Sequence, residues 1–457
     1  MKARIPNTYV LLFIIILILG ASSYIIPAGN FERQIDIETG IRYVVPDSYR
    51  TIERTPVSIF GLFKAIPEGM MKAGDIIIFV LLTGGSFGII NATGTINTLI
   101  SNTAKKYVGK EKNIIPVVMI MFSLAGAVFG TAEEALPLYP MFITLALALG
   151  FDTITGVAMV LVGTGSGFVA GFLNPFTTGI AQGVSELPFF SGMFLRVIAY
   201  FIFVSTAIIY VYRYASKIRS KTGLNNVNND NINFNIDNLP SISNRQIGVS
   251  LVIVLSLVFL LVGVIKWNFY VLEISTTFLM MGIVSGLVGG LKSGRIVSEF
   301  VKGASNLVYG ALIIGLAKSI SVVMEYGNIM DTIIFYLSKT ISGLTPKISA
   351  VAMFITQSLI NLFITSGSGQ AAVTMPIMKT LADISGVTRQ TAVLAFQFGD
   401  GFSNIISPTS GYFMAALAIG GIKWKQWAKW MAPLFIIWCV EGSILLIIAS
   451  IIKYGPF

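Results

Sequence analysis

Apolar residues along this chain come in long blocks with short polar interruptions, not in the alternation of a half-buried strand. Blocks of helical length lie at about 8–28, 75–99, 190–212, 247–266, 273–291, 306–325 and 431–452. Each approaches the ~20 apolar residues that carry a helix across a bilayer. Two more, 156–182 and 391–418, have the length but are full of helix breakers. One contains Gly163, Gly165, Gly167, Gly171, Pro175 and Gly179; the other contains Gly399, Gly401, Pro408 and Gly411. These are expected to be broken helices. Four blocks are too short to cross and come in pairs, 114–129 with 135–150 and 348–364 with 371–382. The first pair meets at Gly130-Thr131-Ala132-Glu133-Glu134, the second at Thr365-Ser366-Gly367-Ser368-Gly369-Gln370. Two short apolar arms around a polar turn form a hairpin that enters the membrane and turns back. Hairpins are therefore expected over 114–150 and 347–384. Residues 57–72 read as an interfacial amphipathic stretch.

The same pattern is written twice. Pro140 and Pro376, Gly150 and Gly386, and Gly163 and Gly399 share one offset (376 − 140 = 236). Gly94 with Gly327, and Asn174-Pro175 with Ser407-Pro408, share another (327 − 94 = 233). Chance spacing in glycine-rich helices competes with this, but the landmarks recur in the order helix, hairpin, broken helix. Residues 57–212 form repeat 1 and 290–457 repeat 2. Before them lie a first span and outer loop, 1–56; between them lie a linker, 213–246, and connecting spans, 247–289. The number of crossings between the copies predicts opposite orientations. Inverted repeats with broken helices near the midplane point to a secondary transporter and its binding site.

Composition agrees. The 457 residues are 54% hydrophobic and 11% charged, with mean hydropathy +0.81. Soluble domains carry about 25% charged residues. The fold class is thus an all-α polytopic membrane protein. The net charge of +10 does not call for nucleic acid, because the basic residues sit in short loops. Their placement puts the N-terminus and the Asn-rich segment 222–245 inside, by the positive-inside rule. A multi-pass protein of a bacterial inner membrane is expected, with 8–28 an uncleaved first span. The single cysteine, Cys439, and the lack of histidine argue against a disulfide framework, a metal centre or a histidine proton shuttle. No zinc-protease helix motif, hydrolase elbow or Walker A loop is present, so neither an enzyme nor an ATP-driven pump is expected.

Three segments carry a family resemblance. They are Gly130-Thr131-Ala132-Glu133-Glu134, Gly171-Phe172-Leu173-Asn174-Pro175-Phe176-Thr177, and Gly399-Asp400-Gly401-Phe402-Ser403-Asn404-Ile405-Ile406-Ser407-Pro408-Thr409-Ser410. The chain resembles the C4-dicarboxylate anaerobic carrier family, in its YfcC-like branch, within the ion transporter superfamily. Related members are described as C4-dicarboxylate carriers or arginine/ornithine exchangers. The resemblance implies a homodimer with a scaffold domain and a mobile, elevator-type transport domain that carries the hairpins.

Candidate site residues follow from the breaks. A broken helix frees N–H groups on one half and carbonyls on the other. The N–H ends suit a carboxylate; the carbonyls suit Na⁺ or a proton-linked site. Candidate substrate ligands are Thr131, Glu133, Glu134, Asn174 and Thr177 in the first copy. In the second they are Ser366, Gly367, Ser368, Gln370, Asn404, Ser407 and Thr409. Glu134, Asp400 and Ser410 are candidates for ion coupling. Hydroxyls at breaks can equally cap their own half-helices, and Asp400 can be a cation ligand or a cap. Glu133 and Glu134 stand where the second copy has Gly369 and Gln370, so charge is placed on one tip only. Intramembrane carboxylates mark function by default. Lys318 and Glu441 are two further intramembrane charges, expected to pair with each other, although Lys318 can instead receive a substrate carboxylate. Lys379 and Arg389 are expected to snorkel to the interface. No metal or cofactor is expected, and Na⁺ or H⁺ is the candidate coupling ion. The partners are a small molecule and the bilayer. The acidic inventory favours an amino acid such as arginine or ornithine over a dianionic organic acid. A channel is the rival class, since broken helices also build pores.

Overall fold

The structure, a computed structural model, describes residues 8–455 apart from 36–41, 46, 107–108, 131, 223–241, 268, 270 and 342. Helix α1 (Thr8–Ser22) leads into a polar segment with two small antiparallel ribbons. β1 (Gly29–Asn30) pairs with β4 (Arg50–Thr51), and β2 (Arg33–Ile35) pairs with β3 (Arg42–Val44). The all-helical expectation is amended here. Asp331 anchors the ribbons, accepting from the Phe31 N–H at 2.9 Å and pairing with Arg33 at 2.8 Å.

The segment read from the sequence as the first copy comprises α2 (Ile59–Lys72), α3 (Gly74–Ala92), α4 (Thr95–Lys106), α5 (Ile114–Phe129), α6 (Tyr139–Ala148), α7 (Thr153–Ala170), α8 (Ile180–Val184) and α9 (Met193–Thr222). Helices α10 (Asn244–Trp267) and α11 (Val271–Val288) connect it to the second copy. There follow α12 (Ser293–Tyr326), α13 (Met330–Lys339), α14 (Pro346–Ile360), α15 (Gly367–Ser385), α16 (Arg389–Asn404), α17 (Gly411–Ile419) and α18 (Trp424–Ile451). Element order is the same in both, with one difference. The first copy breaks at Ala73, between α2 and α3, where the second runs on as the 34-residue α12. The block expected at 75–99 therefore ends at Ala92, and its tail belongs to α4. Most of the Asn-rich segment lies outside the described residues.

Both long blocks with breakers are broken. Gly171 takes φ +47, which ends α7, a conformation that suits glycine. Asn174 restarts the chain, its Oδ1 accepting from the N–H groups of Phe176 (3.0 Å) and Thr177 (3.2 Å). Pro175 follows, where a missing N–H costs nothing. A wide turn then closes from Gly179 N–H to Asn174 O at 3.0 Å. In the second copy α16 stops at Asn404. The freed carbonyls of Ile405 and Ile406 accept from the indoles of Trp427 (3.0 Å) and Trp424 (2.9 Å). Irregular backbone at membrane depth needs such partners.

Equivalent helices run antiparallel. Along α7–α8 and α16, Gly165 packs on Ile405, Gly401 packs on Val169, and the Gln397 amide donates to Phe168 O at 2.6 Å. The Gln182 amide donates to Gln390 Oε1 at 3.3 Å. Along α2–α3 and α12, Gly69 faces Ser319 while Gly88 faces Glu299 and Gly303. Lipid-like surroundings give little hydrophobic drive between helices, so close backbone approach does the packing. At Gly167 a methyl would lie 1.7 Å from Ser123 O, which locks α5 onto α7. Both arms of the first pair, α5 and α6, pack on α7.

Seven helical segments among the described residues are long and apolar enough to cross a membrane. Thr153–Val184 and Ser293–Tyr326 are the most enclosed by protein. Tyr9–Ser22 and Asn244–Leu260, expected as spans, are shorter apolar helices. Exposed apolar side chains such as Leu251, Val254, Leu255 and Val258 form the outer face of α10.

Candidate functional site

The two breaks and two turns converge. Gly130, the residue that ends α5, touches the first break: a methyl there would lie 2.5 Å from Asn174 Oδ1. Gly367, the first residue of α15, fits between both breaks. A methyl there would lie 2.5 Å from Thr177 Cγ2 and 2.9 Å from Asp400 Oδ2. Beside this junction is a cavity of about 290 Å³.

One wall of the cavity comes from the turns and breaks. Gly130, Ala132, Glu133 and Glu134 follow α5, and Phe176 and Thr177 belong to the first break. Thr365, Ser366, Gly367 and Ser368 belong to the second turn, and Asn404, Gly411 and Tyr412 flank the second break. Further lining comes from the α2–α3 joint, with Lys72, Asp75 and Phe79, and from α12, with Ile314, Ala317 and Lys318; α11 adds Ile274. Carboxylates and ammonium groups thus share one small space.

The candidate ligands divide. Glu133, Glu134, Thr177, Ser366, Gly367, Ser368 and Asn404 line the cavity. Thr131 lies outside the described residues. Asn174 is fully buried as the cap of its half-helix. Gln370 is buried too, its amide donating to Gln357 O (2.9 Å) and Oε1 (2.7 Å). Ser407 and Thr409 bond each other at 2.6 Å, and Ser410 is buried beside them in sequence. The second turn also starts earlier than its apolar run suggests. Helix α14 ends at Ile360, and Ser366 Oγ accepts from the Gly369 N–H at 3.3 Å. Ser368 and Gln370 therefore lie in the first turn of α15.

Asp400 is fully buried behind this wall. Its Oδ1 accepts from the Asn404 amide at 2.9 Å. The Asn361 amide donates to Asp400 O (3.1 Å), Ser403 Oγ (2.7 Å) and Asn404 Oδ1 (3.0 Å). Asp400 Oδ2 and Thr177 Oγ1 have no hydrogen-bond partner among the described residues. Buried oxygens without a donor are costly unless a proton or cation meets them. In the first turn, Glu134 Oε2 accepts from the Ala132 N–H at 3.0 Å.

Two expectations for charges are corrected. Glu441 accepts from the Thr206 hydroxyl at 2.7 Å, while Lys318 faces the cavity. No ion pair joins them among the described residues. A neighbouring hydroxyl serves Glu441, and Lys318 belongs to the cavity lining. Lys379 and Arg389 do not reach out alone either. Both meet Glu186, at 2.9 and 2.5 Å, and Arg389 also pairs with Asp383 at 2.8 Å. Lys379 and Arg389 hold the Glu186 carboxyl below its ordinary range. Bonds to Asp383 and then Glu186 raise the Arg389 guanidinium further.

Lys72, Asp75 and Tyr412 were not anticipated. Lys72 pairs with Glu325 at 2.5 Å and Glu68 at 3.3 Å, which holds it at the cavity edge. The available signal for Asp75 is a charge at the very start of an apolar block.

The sequence matches the family described as C4-dicarboxylate anaerobic carrier over residues 5–451. A protein of Escherichia coli (strain K12), named "Putative basic amino acid antiporter YfcC", is 34% identical over 491 residues, covering 98% of this chain and 97% of that protein. A Haemophilus influenzae (strain ATCC 51907 / DSM 11121 / KW20 / Rd) protein, named "Uncharacterized protein", is 30% identical over 413 residues, covering 88% of this chain and 81% of that protein. Among solved structures, the Alcanivorax borkumensis YdaH transporter is distantly similar, at 16% identity over 99% of each chain with a TM-score of 0.47.

Proposed function

The chain belongs to the C4-dicarboxylate anaerobic carrier family, a family of membrane transporters, and on that premise we propose that it is a secondary antiporter of a basic amino acid such as arginine or ornithine. The observation that carries this reading is opposite charge lining one cavity: Glu133 and Glu134 of the first turn, and Lys318 of α12. A basic amino acid has a carboxylate at one end and a cation at the other. The cationic end meets the two glutamates, whose mutual repulsion a cation relieves. The carboxylate meets Lys318 and the N-terminal end of α15 at Gly367 and Ser368, where free N–H groups and the helix dipole favour an anion. The name of the Escherichia coli relative points the same way.

Movement is by alternating access. Antiparallel equivalent helices support two inverted repeats. The turns and broken helices form the transport unit, which slides as an elevator against the wall of α2, α3 and α12. A homodimer in a bacterial inner membrane, N-terminus inside, completes the picture. Asp400 Oδ2 and Thr177 Oγ1 supply oxygens for a coupling Na⁺ or for a proton on Asp400. Plain exchange needs neither.

A second reading, a C4-dicarboxylate carrier, draws on Lys72 and Lys318 lining the same cavity. Proteoliposome uptake separates the two. Labelled arginine, ornithine, fumarate and succinate are offered with and without unlabelled internal substrate, and with and without Na⁺ or pH gradients. Exchange of arginine or ornithine is expected. Uptake confined to dicarboxylates sinks the amino-acid reading, and currents far above carrier turnover sink the transporter mechanism in favour of a channel.

A further inference from the structure

We propose that Asp75 is a specificity-determining residue that binds the α-ammonium of the substrate and so restricts transport to α-amino acids; this rests on the basic amino acid reading above. Such a substrate has two cations and one carboxylate. Its side-chain cation lies at the far end, but its α-ammonium sits on the same carbon as its carboxylate. In that reading Glu133 and Glu134 take the far cation and Lys318 takes the carboxylate. The α-ammonium then needs an anionic group of its own near Lys318, because a desolvated cation without a partner is costly.

Asp75 lines the same cavity as Glu133, Glu134 and Lys318. Gly69 packs on Ser319, and Met70 packs on Gly315, which sets the α2–α3 joint beside the stretch of α12 that bears Lys318. Asp75 attracts the Lys318 ammonium and repels the Glu133 carboxylate, so it is within electrostatic range of both. It is also exposed, and an incoming cation can reach it. Asp75 is not spent on holding the fold. No side chain caps the start of α3. Backbone bonds run through the joint instead, from Ala73 N–H to Gly69 O and from Ile77 N–H to Ala73 O, both at 3.0 Å. Lys72, three residues earlier, gives its ammonium to Glu325 and Glu68. Asp75 thus adds negative charge beside the ammonium that meets a carboxylate. That arrangement suits an α-amino acid and repels a second carboxylate of a dicarboxylate.

The test uses the full chain in proteoliposomes loaded with unlabelled arginine. Uptake of labelled arginine is competed by arginine and by its analogue lacking the α-amino group. The wild type is expected to prefer arginine about 10- to 100-fold, the scale of one hydrogen bond to a charged group. In Asp75→Asn the preference is expected to shrink about 10-fold, because arginine weakens and the analogue does not. Asp75→Glu is expected to restore part of it. Both competitors are read on one preparation, so a poor yield of folded variant leaves their ratio unchanged. An analogue that competes as well as arginine in the wild type overturns the proposal, whether or not the variant folds. So does an Asp75→Asn protein whose preference equals that of the wild type. A wild type that exchanges no basic amino acid removes the underlying reading too, a result distinct from exchange that ignores the α-amino group.

Discussion

The two turns hold the same place in the order of elements in the two halves of the chain and are built to different physical ends. In the second, α14 stops at Ile360, residues 361–366 turn, and Ser366 caps the neutral start of α15. In the first, Gly130 takes φ +64, and Glu133 and Glu134 sit in a short 3₁₀ turn, Glu133–Leu138. One turn offers the cavity a helix N-terminus; the other offers carboxylates. The scaffold differs in the same way. Gly85 is pressed against Phe300, with a methyl position only 2.4 Å from the ring. Its counterpart Lys318 opens on the cavity. Both turns meet a broken helix, and the charges are divided between them.

The largest effect is expected from erasing that division. In Glu133→Gln/Glu134→Gln, exchange of arginine in proteoliposomes should fall about 100-fold, the scale of losing one partner of a desolvated charge pair. An unchanged rate removes the first turn from the site. The reverse change tests why the second turn is neutral. Gln370 is locked to Gln357 by two donated hydrogen bonds, so Gln370→Glu strips buried acceptors of their donor and buries a charge. It should destabilise the protein by about 3 kcal/mol. A drop in the thermal midpoint with the fold otherwise retained checks this; an unaltered midpoint shows that the second turn tolerates charge and that the asymmetry is not structural.

Next comes Asp400, where the first copy has Thr164. Asp400→Asn keeps an oxygen for the Asn404 amide and removes the charge. Any dependence of transport on a Na⁺ or pH gradient should disappear, with the remaining exchange within about 10-fold of wild type. Retained gradient dependence puts ion coupling elsewhere. Lys318→Met should raise KM for arginine about 10-fold, one hydrogen bond to a charged group. Its decarboxylated analogue should lose nothing further. If both substrates weaken equally, Lys318 does not meet the carboxylate.

Much of this site was legible because a bilayer punishes every interruption of an apolar helix. Glycine, proline and carboxylate at 130–134, 171–175 and 399–408 therefore stand out. What stayed hidden depends on how helices rotate against one another. Leu362, Phe363 and Ile364 are apolar, so nothing in the pattern shows that α14 has already ended. Gln370 reads as a ligand until the neighbouring helix brings Gln357 to it. Lys318 and Glu441 are both intramembrane charges, but only tertiary packing says that a threonine hydroxyl serves one and the cavity receives the other. Strands of two or three residues, as in β1 to β4, are shorter than any periodicity can reveal.

The smallest effect concerns where the two copies meet outside the cavity. Glu186, in the first copy, binds Lys379 and Arg389 of the second. It is exposed, so water screens the attraction and each pair is weak. Because its carboxyl is held below the ordinary 4.5, the folded state favours the ionised form. The stabilisation is complete above that ordinary value and is lost as pH falls through the lowered one. Glu186→Gln should lower the thermal midpoint by about 1 °C near neutral pH, and the difference should close in acid. A gap of the same size at every pH shows that the charge of the Glu186 carboxylate is not what stabilises this contact.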